Sequence, residues 1–202
     1  INCITDNRAL SLISHRGPDH QQLVALPVGK HQVYFGHARL SILDLSEAGN
    51  QPMFTDCKNY CIVYNGEIYN HEELRKRLTG MNFKGHSDTE TILYYIREFG
   101  IDAVKDFNGI FAFAFADLRN RKIYFVRDRF GIKPLYYFFG NNQFGFSSEI
   151  RPLKSLVKHG LNKGVLLNGL KMRYCPSPVT IYQDIWKAEP GQIVSCDLSS
   201  DN

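Results

Sequence analysis

The stretch Asn65-Gly66-Glu67-Ile68-Tyr69-Asn70 separates two segments of different character. The apolar run Cys61-Ile62-Val63-Tyr64 before it is typical of a strand, and a helical pattern opens near Asn70. Asn65, Gly66 and Glu67 are therefore predicted at the carboxyl end of a strand, at the mouth of a turn. Such a position can hold short polar groups rigidly toward a ligand. An ordinary strand–turn–helix joint capped by Asn70 is the alternative.

The composition indicates one folded domain over residues 1–202. With 202 residues, 44% of them hydrophobic, the chain can bury one sizeable core. The net charge of +4 is mild, and the basic run Arg75-Lys76-Arg77 follows two glutamates, so it indicates a solvated helix face and no nucleic-acid partner. No apolar run reaches the roughly 18 residues of a membrane-spanning helix, so no membrane contact is expected.

The five cysteines are Cys3, Cys57, Cys61, Cys175 and Cys196. Their number is odd, none forms a C-x-x-C pair, and no Cys/His cluster has zinc spacing, so no metal site is expected. Reduced thiols in the cytoplasm are the prediction.

Three further runs contain candidate functional residues. His15-Arg16-Gly17-Pro18-Asp19 places ionisable groups around a forced turn. Arg39 lies in Gly36-His37-Ala38-Arg39-Leu40-Ser41-Ile42-Leu43-Asp44 near a strand end, where it is suited either to a ligand carboxylate or to a surface ion pair. Asp88 follows Ser87 at the start of a helix, where it either complements the helix dipole or receives an ammonium group.

The remaining pattern predicts an α+β fold with antiparallel sheets. Residues 4–14 are predicted as a helix, and residues 87–99 as a helix opened by a Ser87/Glu90 capping box. Residues 108–148 look like consecutive strands, with an ion-pair turn around Arg127-Asp128. A short helix is predicted from about residue 149 to residue 159, then an irregular tail with one strand near 192–196. Helices and strands do not alternate regularly, which argues against a doubly wound fold.

Taken together, these runs resemble the glutaminase domain of glutamine-hydrolysing asparagine synthetases. They occur in that family's order, and the resemblance is extended by Arg127–Tyr137 and by Ser148-Glu149-Ile150. It implies a four-layer αββα sandwich of the N-terminal-nucleophile hydrolase type. It also implies hydrolysis of glutamine to glutamate and ammonia, for ATP-dependent amidation of aspartate by a C-terminal synthetase domain that these residues do not contain.

The resemblance also implies residue roles. Arg39 would bind the glutamine α-carboxylate, and the Asn65 side chain and the Gly66 N–H would form the oxyanion hole. Glu67 and Asp88 would bind the α-ammonium group. Backbone groups of Leu40, Ser41, Ile42 and Leu43 would line the same pocket. ATP and magnesium would bind only in the synthetase domain, no cofactor is expected in this one, and a homodimer of the longer protein is left open.

The family's nucleophile, an N-terminal cysteine, has no counterpart in the chain. Cys3 lies too close to His15 to match it, so the residues as given are expected to be inactive and poorly stable alone. The nucleophile strand is absent through truncation, or the chain is a natural non-catalytic glutamine-binding or regulatory homologue, or a partner supplies the strand. A domain serving a synthetase with another acceptor, such as a sugar, is a further alternative, because the acceptor site would lie elsewhere.

Overall fold

The fold is described from a computed structural model, which covers residues 7–40, 49–140 and 143–199. Within these ranges it contains five α-helices and ten β-strands. The helices are α1 (Asn7–Ser11), α2 (His71–Lys76), α3 (Asp88–Phe99), α4 (Ile150–Leu156) and α5 (Lys163–Met172). The strands are β1 (His20–Val28), β2 (His31–Arg39), β3 (Met53–Phe54), β4 (Tyr60–Ile68), β5 (Gly109–Asp117), β6 (Lys122–Arg127), β7 (Tyr136–Gly140), β8 (Gln143–Ser147), β9 (Ile185–Lys187) and β10 (Ile193–Asp197).

A five-stranded antiparallel sheet in the order β10-β6-β5-β4-β3 forms the centre of the molecule. The central strand β5 alternates phenylalanine with alanine from Phe111 to Ala116, and successive side chains of a strand point to opposite faces. The phenylalanines face one layer, where they pack with α2 and α3. The alanines face the other side, where their small side chains let a second β layer approach closely.

The second β layer has two parts, the hairpin β1–β2 and the sheet β8-β7-β9. Leu26 and Phe35 from the hairpin join Phe144 from β8 in one core against the alanine face. The outer face of the second part packs on α4 through Phe138, Leu153 and others, while α1 packs beside α4 and the hairpin. The layers are therefore helix, sheet, sheet, helix, and the predicted αββα sandwich is confirmed.

Three segments differ from the sequence-based prediction. The tail after α4 contains the helix α5, which was not predicted. Two glycines interrupt its pattern and none of its residues is buried, although the Asn162 side chain caps its start. The strand β1 was not predicted, because polar residues begin it and Pro27 lies inside it. The first helix is shorter than predicted: α1 ends at Ser11, and a 3-10 turn occupies residues 14–16.

No helix in the described ranges combines the length and the apolar character that crossing a bilayer requires.

Candidate active site

A cavity of about 940 Å³ lies between the two β layers. Its walls come from the inner face of β4 and β5, from β2 and β8 on either side, and from the start of α3. Every predicted site residue within the described ranges lines it: Arg39, Leu40, Asn65, Gly66, Glu67 and Asp88. Ser41, Ile42 and Leu43 lie outside the described residues. Residues up to 49 positions apart in the sequence, Arg39 and Asp88, therefore line the same cavity.

The strand β4 extends to Ile68, so Asn65 to Glu67 lie in its last residues, at the carboxyl end of the strand as predicted. Asn65 pairs with Ala112 and Gly66 with Phe111 of the neighbouring strand β5. Asn70 does precede α2, but its side chain makes no cap: it bridges the backbone of Asp106 and Asn108.

Two hydrogen-bond donors on β4 face the cavity without a partner among the described residues. The backbone N–H groups of Tyr64 and Ile68 point to the strand edge away from β5, where Gln51 Oε1 (2.6 Å) and Asp88 Oδ2 (3.0 Å) accept them. Since strand amides alternate in direction, the N–H of Gly66 points to the same edge, and it has no such acceptor. The Nδ2 of Asn65 is also buried and unpaired. An unpaired buried donor is rare, so Asn65 Nδ2, next to the N–H of the half-buried Gly66, is suited to bind a ligand oxygen.

The packing of β4 against β5 requires a glycine at position 66. A Cβ at this position would lie 2.2 Å from Ile110 O and 2.7 Å from Phe111 Cα, which are rigid parts of β5. The close approach of β5 is therefore sufficient to explain this glycine, without a ligand.

We expect Gly66→Ala to lower the free energy of unfolding by about 3 kcal/mol, the scale of an overpacked interior position. Urea unfolding followed by circular dichroism measures the change. Gly140→Ala is the matched control, because a Cβ there meets no atom within 4 Å. Equal unfolding free energies of the two variants would contradict the claim that β5 leaves no room for a side chain at position 66.

Arg39 ends β2 as a buried cation, 9% exposed. Its NH1 donates to Asn50 Oδ1 at 2.7 Å, so a side chain from the far end of the 41–48 connection fixes its orientation. Glu67 and Leu40 are exposed at the cavity rim. The cavity therefore has a buried cation and, separately, an exposed carboxylate among its lining residues.

Asp88 is more constrained than the sequence indicated. It is the first residue of α3, its Oδ2 accepts from the Tyr64 hydroxyl (2.6 Å) and from Ile68 N (3.0 Å), and its Oδ1 accepts from Thr89 N (2.8 Å). Burial, followed by the nearby Asp88, raises the pKa of Tyr64, so the hydroxyl keeps its proton. A carboxylate offers about four acceptor sites, so about one remains for a ligand ammonium. Asp88 has a structural role in any case, and its ligand role stays a prediction.

The predicted capping box of α3 is half formed. Ser87 Oγ accepts from Glu90 N at 3.3 Å, as expected. The carboxylate of Glu90 instead binds the amides of Lys84 (2.8 Å) and Gly85 (3.0 Å), which lie before the cap. It therefore fixes the segment that leads into Asp88.

His37 binds β4 from the facing strand β2. Its Nε2 lies 3.2 Å from the carbonyl of Tyr64, so this nitrogen donates and carries the proton. Burial lowers the pKa of His37 to about 4, and the imidazole is neutral at pH 7. The bond to Tyr64 and the low pKa fit a structural role for His37, whose other ring nitrogen, Nδ1, is buried without a partner among the described residues.

The pKa of His37 predicts an acid-sensitive core. Because the folded pKa of about 4 lies below the ordinary histidine value of 6.5, the unfolded state binds more protons between these two values, and stability falls as the pH falls through that window. A shift of this size corresponds to up to about 3 kcal/mol. Urea unfolding at pH 7 and pH 4 measures how much unfolding free energy is lost on acidification. This loss should be smaller by up to about 3 kcal/mol in His37→Gln than in the parent. If the unfolding free energies of His37→Gln and the parent changed identically with pH, the lowered pKa of His37 would be contradicted.

None of the described cysteines lines the cavity. Cys61 is fully buried in the core, and burial raises its pKa. Cys57 is exposed before β4, at the end of that strand remote from Asn65, with a pKa lowered by its contact with Thr55. Cys3 lies outside the described residues. The described part of the chain thus brings two unpaired N–H donors and several charged groups to the cavity, but no thiol.

Two motifs that the sequence left unconnected meet beside the cavity. Glu149 Oε1 lies 2.8 Å from His15 Nε2, and Glu149 Oε2 lies 2.8 Å from Arg151. Partial burial acts to raise the pKa of Glu149, but the bonds from Arg151 and His15 outweigh it and hold that pKa below its ordinary value. The cluster joins the 14–16 turn to α4, and no local signal could have predicted a contact across 134 residues.

In residues 7–40, 49–140 and 143–199, no three His, Cys, Asp or Glu side chains are grouped closely enough to hold a metal ion.

The layered antiparallel sandwich with its interlayer cavity is the fold of the N-terminal-nucleophile amidotransferases. It superposes on the glutamine phosphoribosylpyrophosphate amidotransferase from B. subtilis with a TM-score of 0.66 at 16% identity, over 94% of this chain and 43% of that one. A structure described as the allosteric regulatory enzyme of purine biosynthesis gives a TM-score of 0.67 at 17% identity, over the same shares. Residues 5–201 match the glutamine amidotransferase domain family, and the chain belongs to that family.

Several relatives in sequence are named as synthetases. The putative asparagine synthetase [glutamine-hydrolyzing] 2 of Methanocaldococcus jannaschii is 36% identical, over 95% of this chain and 41% of its own. Asparagine synthetase [glutamine-hydrolyzing] 3 of Bacillus subtilis is 42% identical, over 74% of this chain and 24% of its own. The amidase chry2 of Gibberella zeae is 33% identical, over 93% of this chain and 28% of its own. The chain thus spans less than half the length of these relatives.

Proposed function

We propose that this domain binds glutamine in the cavity and hydrolyses its side-chain amide, giving glutamate and ammonia. The observation that carries the proposal is the pair of unpartnered donors, Asn65 Nδ2 and Gly66 N–H, in the wall of a cavity that also contains Arg39 and Asp88. An amide hydrolase needs donors where the carbonyl oxygen becomes an oxyanion. Membership of the glutamine amidotransferase family supports the choice of glutamine as the amide.

The charges around the cavity complement an amino-acid zwitterion. The planar guanidinium of Arg39 suits the α-carboxylate, since it can bind both oxygens at once. Glu67 and the remaining acceptor site of Asp88 suit the α-ammonium group. Leu40 and, beyond the described residues, Ser41, Ile42 and Leu43 would contribute backbone groups to the same subsite.

The reaction that fits these groups is thiol-dependent acyl transfer. A cysteine sulfur attacks the amide carbon, the C=O electrons move to oxygen, and Asn65 and Gly66 bind the resulting oxyanion. The C–N bond breaks, nitrogen takes the thiol proton and leaves as ammonia, and a thioester remains. Water then attacks the thioester through a second oxyanion, releasing glutamate and restoring the thiol.

The cysteine would enter on a segment outside the described residues. Within these residues β2 hydrogen-bonds only to β1, and β8 only to β7, yet both line the same cavity. Phe35 of β2 and Phe146 of β8 touch, with ring centroids 5.2 Å apart. A strand of a longer protein, preceding these residues and lying between β2 and β8, would complete the layer and bring an N-terminal cysteine near Asn65.

The longer protein would transfer the ammonia to an acceptor. The names of the relatives support amidation of aspartate to asparagine by the longer protein. That this amidation depends on ATP and magnesium bound by the remainder of that protein, and takes place in the cytoplasm, is part of the proposal. An acceptor other than aspartate is the second candidate, because one relative of similar coverage is named as an amidase and not as an asparagine synthetase. A homodimer of the longer protein stays a proposal.

Titration calorimetry with glutamine tests the binding site, using the longer protein with its proposed N-terminal cysteine changed to alanine so that glutamine is not consumed. Arg39→Ala should weaken glutamine binding about 10- to 100-fold, the value of a charge-assisted hydrogen-bond pair. Arg77→Ala is the control, because Arg77 is half exposed and pairs with Asp106 away from the cavity. Unchanged affinity in Arg39→Ala, or no glutamine binding by the parent, would refute the assignment.

A further inference from the structure

The loop of residues 128–133, called here the Asp128 loop, is held by a fully buried carboxylate. The two oxygens of Asp128 accept four backbone amides, from Phe111 (3.3 Å), Phe130 (3.0 Å), Ile132 (3.0 Å) and Lys133 (2.9 Å). The sequence predicted an ion-pair turn at Arg127-Asp128, but the hydrogen bonds of Asp128 go to the backbone.

Arg127 holds the carbonyl groups of the same loop. Only 4% exposed, it donates from Nε to Lys133 O at 2.8 Å and from NH2 to Gly131 O at 2.5 Å. Its NH1 donates to Ala188 O, in the turn that follows β9. Gly191 N of that turn donates in return to Asp128 O at 2.8 Å. The backbone polar groups of the Asp128 loop are therefore largely satisfied from within the protein.

The loop holds two large apolar side chains in solvent. Phe130 is 75% exposed and Ile132 is 58% exposed, and neither belongs to a core cluster of this domain. Burying the Asp128 carboxylate and the Arg127 guanidinium carries a desolvation cost. The core clusters of this domain gain no contact from Phe130 or Ile132 in return. Preorganised apolar side chains that protrude from a rigid backbone are typical of interface anchors.

The Asp128 loop lies at the same end of the sandwich as the oxyanion donors. Its Asp128 binds the backbone of Phe111, and Phe111 is the strand partner of Gly66. Lys133 of the loop lines the cavity, but Phe130 and Ile132 do not. A segment that filled the cavity would therefore not cover these two side chains.

We propose that Phe130 and Ile132 anchor the ammonia-accepting part of the longer protein over the mouth of the cavity. This inference rests on the proposed function. Ammonia released into water at neutral pH is protonated and loses its nucleophilicity, so the mouth has to be covered by the part that uses it. The relatives carry more than half of their length outside the matched region, which is enough chain to form that cover. Residues 129–134 include the basic Arg129 and Lys133 but no acidic residue. The complementary surface on the ammonia-accepting part should therefore be an apolar pocket rimmed by carboxylates.

The transfer of ammonia in the longer protein tests the anchor. The double variant Phe130→Ser/Ile132→Ser should still hydrolyse glutamine, but its yield of amidated product per glutamate should fall at least fivefold. Synthesis from added ammonium salt should be unchanged. The control is Leu170→Ser, a 72% exposed leucine on α5 outside the cavity lining, which should keep the parent's yield. An unchanged yield in the double variant would overturn the anchor, while absence of glutamine hydrolysis in the parent would overturn the proposed function.

A labelling experiment tests the contact independently of catalysis. Phe130→Cys in the native longer protein should react with a charged thiol reagent at least tenfold more slowly than in the denatured chain, as followed by mass spectrometry of the peptide. Equal rates would overturn the inference. Protection that disappears on dilution would assign the surface to a second copy of the protein and would overturn it as well.

Discussion

Asn65→Ala in the longer protein is expected to lower kcat for glutamine hydrolysis by about 10²- to 10³-fold, the usual cost of losing one oxyanion donor. KM should change little, because the amide of Asn65 would act on charge that develops only in the transition state. The unpartnered state of Asn65 Nδ2 is the physical reason: no described residue uses this donor, so a substrate oxygen is its natural acceptor.

Glutamate release at saturating glutamine measures this effect. Asn120→Ala serves as the control, because Asn120 is exposed and binds only the nearby Asp117. A loss of less than threefold in Asn65→Ala would remove Asn65 from the proposed oxyanion hole. A large rise in KM with unchanged kcat would give it a role in ground-state binding instead.

Asp128→Ala is expected to cost about 4 kcal/mol of unfolding free energy, since four backbone amides and the buried Arg127 would lose their anionic neighbour. The effect should be structural and should reach Phe111 in the central sheet, because its amide is one of the four. Urea unfolding followed by fluorescence measures it.

The matched control for that variant is Asp102→Ala. Asp102 has a side chain 83% exposed and pairs only with the exposed Lys105, so its loss should change stability by less than about 0.5 kcal/mol. If Asp128→Ala cost less than about 1 kcal/mol, the Asp128 loop would not be the rigid element on which the docking inference depends.

Features encoded by local periodicity were predicted correctly from the sequence. The consecutive strands predicted in residues 108–148 are present as β5, β6, β7 and β8, and β7 pairs with β8 as an antiparallel neighbour. Ser87 was recognised as the cap of α3. Each of these signals lies within a few residues of the chain, where steric and hydrogen-bonding rules act directly.

Features that depend on distant partners were missed or misread. Asp88 accepts a hydrogen bond from Tyr64, 24 residues away, and Asp128 accepts one from Phe111, 17 residues away on the neighbouring strand. The sequence spacing of these residues does not predict either bond. The helix α5 has glycines and no buried face, and β1 contains a proline, so local propensity argued against both. The resemblance supplied the site residues, and the structure adds that those it describes share one cavity.

The measurement that tests the central claim most directly is the stoichiometry of glutamine hydrolysis by the longer protein, with glutamate and ammonia assayed in the same reaction. We predict equal amounts of the two products when no ammonia acceptor is supplied, with the rate reduced at least 100-fold in Asn65→Ala. Glutamine that binds but stays intact would contradict the account and would identify the domain as a non-catalytic glutamine-binding module.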